Sequence, residues 1–255
     1  MPVSRVASGH AFLRLFSLLE LVLVLRNYVS TTVSSRAESL LPAVGVAIFF
    51  LAFGGQGVRN LFGWVGFGVI AGIVLIAAWV IFFLAGRAVT LRRLSLSVSS
   101  YILVCCLSVI WSQYRLETFG SALITLATSS AGVLVAIAFP LRQMLDVFTQ
   151  AMKIIVSASY ALELWVSLAV GHRIPPMYMR NWKEVPELYY WVNDALFKGG
   201  PIQGFVGNRN PLAFIALLLM LSVLVLWVED RTHHLRNGAW LLACVGILVL
   251  TGSAT

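Results

Sequence analysis

Seven runs of predominantly apolar residues recur along this chain, at about 39–55, 61–85, 94–111, 118–140, 147–171, 211–228 and 239–255. A run of roughly 20 apolar residues spans the hydrocarbon of a bilayer, and inside it only a helix or a closed barrel satisfies its own backbone. Runs of this length and continuity predict an all-α fold, a polytopic transmembrane helical bundle of about seven spans with the last one incomplete. Composition agrees: 60% of the 255 residues are hydrophobic and 11% charged, and the mean hydropathy is +0.91, far from the usage of soluble domains. The whole of 1–255 reads as one membrane domain.

The run from Leu15 to Leu25 is interrupted by Glu20 and flanked by Arg14 and Arg26. It is expected to lie in the interface as an N-terminal helix, within a cytoplasmic or interfacial segment 1–38. Small residues do not follow a clean apolar core there, which argues against a removed signal peptide. The net charge of +8 would point to nucleic acid in a soluble protein, but here the basic residues sit in loops, where membrane orientation requires them; no nucleic-acid partner is expected. With the N-terminus cytoplasmic, Arg87, Arg92, Arg93, Arg142, Arg231 and Arg236 fall on the cytoplasmic side, and the short outer loops hold only Arg59 and Arg115. Cys105, Cys106 and Cys244 lie within apolar runs, placed neither for an exposed disulfide nor for a metal.

The long outer segment 172–210 carries Arg173, Arg180, Lys183, Lys198 and Arg209 against Glu184, Glu187 and Asp194, so basic groups gather at an outer mouth. Within it Leu188, Trp191, Val192, Ala195 and Leu196 follow helical spacing after Pro186, predicting an amphipathic helix over 186–198 that lies flat among Tyr178, Trp182, Tyr189 and Tyr190. The segment ends in Gly204-Phe205-Val206-Gly207-Asn208-Arg209-Asn210-Pro211-Leu212-Ala213. Asn210 suits a cap and Pro211 a first helical position, so the free N–H groups of the first turn would face an anion beside Arg209, with Asn208 and Asn210 on either side.

Ionisable groups inside the hydrocarbon are costly and stand out as functional candidates. Glu163, about 12 Å below Gly171 at 1.5 Å per residue, is expected to pair with an arginine of the mouth. Asp146, Gln150 and Lys153 share a face near the cytoplasmic end of the fifth run, where Lys153 can snorkel. Ser121, Thr125, Thr128 and Gly132, and the Gly68/Gly72 pair, read as close helix packing. The chain contains no H-E-x-x-H, Walker loop, G-x-G-x-x-G or G-x-S-x-G string, so zinc, nucleotide and serine-hydrolase chemistry lack sequence support, and neither metal nor cofactor is expected.

Trp111-Ser112 followed by Thr118-Phe119, the Gly204 to Ala213 junction and the Ser253 region together resemble the O-antigen ligase and polysaccharide polymerase superfamily of bacterial inner membranes. The resemblance covers about residues 40–255, with 211–255 as the start of the ligase-like C-terminal region. It implies a multi-pass protein of the bacterial plasma membrane that transfers a glycan from undecaprenyl diphosphate to an acceptor hydroxyl in cell-surface polysaccharide synthesis, without metal or nucleotide. It also implies that Arg209, with Lys198, Arg180 and Arg173, binds the lipid diphosphate. The family's catalytic histidine sits in a second outer loop that these 255 residues do not match. His172 is therefore not assigned catalysis, the catalytic residue is unknown, and the chain is expected to be an N-terminal fragment, inactive in transfer and weak in donor binding. Two other classes compete: a transporter or flippase of an anionic substrate using Glu163, and a non-enzymatic membrane subunit that binds a partner through the helix 186–198.

Overall fold

The computed structural model describes residues 6–89, 96–229 and 233–252, with side chains from Thr31 onward except that of Leu188. Arg92, Arg93, Arg231 and Ser253, invoked above, lie outside the described residues. Within them the chain is all-α: α1 (Val6–Leu84), α2 (Leu96–Trp111), α3 (Arg115–Ala138), α4 (Leu141–Trp165), α5 (Arg209–Glu229) and α6 (His234–Thr251). Five helices are long and apolar enough to cross a membrane, namely Thr31–Leu84, Arg115–Ala138, Leu141–Val170, Arg209–Glu229 and His234–Thr251; α2 is apolar but shorter.

The first of these is two rods. At Gly63 the backbone leaves helical geometry with φ +72°, a region open to glycine and costly for other residues. The chain turns back on itself there, since Leu41 of the first arm and Ala78 and Phe82 of the second share one buried cluster with Leu134 and Val135 of α3. Glu38 and Arg87 meet in an ion pair at the base of this hairpin. Counting both arms, the expected runs at 39–55 and 61–85 correspond to separate rods, and α2 to α6 supply the other five.

Two expectations change. The run Leu15–Leu25 is continuous with the first arm of α1 instead of forming a separate interfacial helix, because no Gly or Pro between His10 and Leu41 interrupts the helix. The small-residue faces are not packed either: an added Cβ at Gly68, Gly72 or Gly132 would meet nothing within 4 Å. The Thr125 and Thr128 hydroxyls instead donate to Ser121 O and Ile124 O of their own helix, both at 2.9 Å.

Packing runs in the order α2, α3, α1, α4, α5, α6. The main core joins Met152, Ile155 and Val156 of α4 to Leu212, Ile215 and Leu219 of α5 and Cys244 and Ile247 of α6. In a bilayer such contacts act through close packing, since lipid tails are as apolar as leucine. Ile202 and Val206 of the long loop join the same core, which anchors that loop to one end of the bundle.

Candidate functional site

The long loop begins where α4 ends. After Trp165 the helix widens into a π turn, Val166–Val170, closed by Gly171. The stretch 186–198 does not form the expected helix. It makes one 3-10 turn, Glu187–Tyr189, then pairs with Ile174: Trp191 N and Val192 N donate to Ile174 O at 2.8 and 3.2 Å, and Ile174 N donates to Val192 O at 2.9 Å. Asp194 follows with φ +52°, which no α-helix accommodates. The apolar positions do bury, as Trp191, Val192 and Ala195 show, but they do so in an irregular strap. Backbone pairing to Ile174 replaces the i−4 bonds of a helix too short to stand alone.

A buried carboxylate clamps the far end of this strap. Glu163 is fully buried, and its Oε1 accepts from Gln203 N at 2.9 Å and Gly204 N at 2.7 Å. One turn earlier, Ser159 Oγ accepts from Phe205 N at 3.1 Å. The partner of Glu163 is thus the loop backbone and not an arginine of the mouth. Gly204 is required at this point: φ is +59°, and a Cβ would stand 2.7 Å from Ser159 Cβ and 2.8 Å from a Leu212 methyl. Trp191 Nε1 donates to Phe205 O at 2.8 Å, tying the strap to the same loop. Glu163 Oε2 has no partner.

The start of α5 is also corrected. The helix begins at Arg209, and Asn208 is its cap: Leu212 N donates to Asn208 O at 3.2 Å and Asn210 N to Asn208 Oδ1 at 3.1 Å. Pro211 falls at the third helical position and has no N–H. Of the first-turn amides, only that of Arg209 is left to meet an anion, so the exposed guanidinium has to supply most of any attraction.

Above the clamp lies an open depression of about 680 Å³, lined by His172, Arg173, Tyr190, Asn193, Asp194, Ala195, Lys198, Gly200 and Pro201. Arg173 Nη1 lies 3.3 Å from Glu187 Oε1 and its guanidinium 5.9 Å from the Tyr190 ring centre. Lys198 pairs with Asp194, and its hydrogen bond holds the Asp194 carboxyl below the usual aspartate range. His172 Nδ1 is 2.9 Å from Val170 O. Of the expected ligands, Arg173 and Lys198 share this depression, whereas Arg180, Asn208, Arg209 and Asn210 are exposed outside its lining. His172, Asn193 and Asp194 were not foreseen as lining residues, although the i, i+4 spacing of Asp194 and Lys198 marks a pair in the sequence. Among the described residues, no group of three or more His, Cys, Asp or Glu is placed to hold a metal ion.

Comparison with protein-family models, curated proteins and solved structures found no match to this chain. Function is therefore argued from the chemistry of the mouth.

Proposed function

We propose that this chain receives a glycan carried on undecaprenyl diphosphate at the outer face of a bacterial inner membrane, in the manner of the O-antigen ligases and polysaccharide polymerases, with its N-terminus in the cytoplasm. The observation that carries this reading is an open depression containing Arg173 and Lys198 at one end of an apolar bundle, with the exposed cations Arg180 and Arg209 on the same loop and its junction. A departing lipid diphosphate needs fixed positive charge where its own charge develops. Arg209 is the strongest single candidate, having no acid within ion-pair distance among the described residues.

The test is binding of undecaprenyl diphosphate to the protein in nanodiscs. A hydrogen bond to a charged group contributes about 1.5–3 kcal/mol, so Arg209→Ala is expected to weaken binding roughly 10- to 100-fold, and Arg173→Ala by a similar factor. Equal affinity for undecaprenol and its diphosphate would remove the proposal.

One observation favours a second reading, a transporter or flippase of an anionic substrate. The fully buried Glu163 holds the mouth loop through two amides, while the same helix lines a groove at the other end of the bundle. Energy-dependent uptake of a small anion by vesicles containing the protein would decide for it. The partner-binding subunit loses its basis, because it relied on a helix over 186–198.

A further inference from the structure

The end of the bundle away from the mouth holds a groove of about 930 Å³ between the first arm of α1, α4, α5 and α6, which the proposed function does not use. Its ionic groups gather where α4 and α6 begin. Lys153 places its ammonium 5.4 Å from the centre of the Trp240 ring, and Arg236, one helical turn before Trp240, also lines the groove. Neither cation has a carboxylate within ion-pair distance among the described residues. The acid of the groove, Asp146, lies 3.5 Å from Arg142, which also pairs with Glu229. Farther along α4 the wall becomes mostly apolar, through Ile154, Ala158 and Ala161, with Ser157 among them. From Lys153 to Ala161 is about 12 Å along the helix at 1.5 Å per residue.

We infer that this groove binds an anionic phospholipid of the leaflet at that end of the bundle, its phosphate between Lys153 and Arg236 and an acyl chain along α4. Charge and shape both select this occupant. Two cations at a membrane-facing rim attract an anionic headgroup, and an indole at the same level suits the interfacial zone. The mostly apolar wall beyond them suits the first part of a hydrocarbon chain, and a free phosphate would leave it uncovered.

The experiment is native mass spectrometry of the full chain in neutral detergent, titrated with phosphatidylglycerol or with phosphatidylcholine of the same chains. Phosphatidylglycerol is expected to be retained at concentrations about tenfold lower, the scale of one hydrogen bond to a charged group, and millimolar inorganic phosphate should not displace it. Lys153→Gln and Arg236→Gln should each shrink that preference, while Arg115→Gln, which removes a charge at the opposite end, should leave it intact. Should Lys153→Gln fail to fold, the exposed Arg236 decides alone. Equal retention of the two lipids, an undiminished preference in the Arg236→Gln protein, or displacement by inorganic phosphate would each overturn the inference.

Discussion

Glu163→Ala deletes the acceptor of two loop amides in a place sealed from solvent. Gln203 N and Gly204 N donate to Glu163 Oε1 at 2.9 and 2.7 Å, and the side chain is fully buried. An abandoned buried donor costs about 1–3 kcal/mol, so the two together cost about 2–6 kcal/mol. At 2–4 °C per kcal/mol for chains of this size, the midpoint should fall by roughly 5–20 °C. Glu163→Gln keeps a carbonyl oxygen for both amides, and its NH2 replaces an Oε2 that has no partner either, so it should melt much closer to its parent than the alanine variant does. The assay is thermal exposure of the buried Cys244 to a thiol-reactive dye in detergent, with Cys105 and Cys106 replaced by serine. An alanine variant melting within about 1 °C of its parent would refute the clamp.

Three other outcomes are expected. Gly204→Ala combines strain at φ +59° with a Cβ 2.7 Å from Ser159 Cβ, and should lose at least about 2 kcal/mol in the same dye assay. Asp194 is held below the ordinary aspartate value of 3.8 chiefly by its hydrogen bond from Lys198. A depressed carboxyl contributes stability above its unfolded pKa and loses it as pH falls through the folded one. Asp194→Asn should therefore be less stable than the parent at neutral pH, and the difference should close only below the ordinary value, as followed by melting against pH. Finally, in a cysteine-free background, Lys183→Cys at the mouth should react with an impermeant maleimide on whole cells and His233→Cys should not; the reverse would invert the proposed orientation.

The helical bundle was legible because apolar length is a strong signal, and the rods lie close to where the runs place them. The first reversal was announced by the polar stretch from Gln56 to Asn60, although the single residue that turns the chain, Gly63 with φ +72°, lies three residues beyond it, inside the next apolar run. The mouth was legible in charge but not in shape. Trp191, Val192 and Ala195 bury as their spacing implies, yet the spacing fits a helix and a strap alike, and the bridge to Ile174 comes from 18 residues upstream. Which asparagine caps α5 depends on two residues of register, and Asn208 takes the role because Pro211 tolerates the third helical position as well as the first. The partner of Glu163 was illegible for a different reason: backbone amides leave no mark in a sequence, whereas the arginines of the mouth do.

The central claim is that the cations of the mouth hold a lipid-linked diphosphate. A photoreactive undecaprenyl diphosphate, activated on the protein in nanodiscs and mapped by peptide mass spectrometry, tests it most directly. The account predicts adducts within 172–210, lost on Arg209→Ala. Adducts confined to the lipid-facing surfaces of α2 and α3, or to the groove at the opposite end, would contradict it.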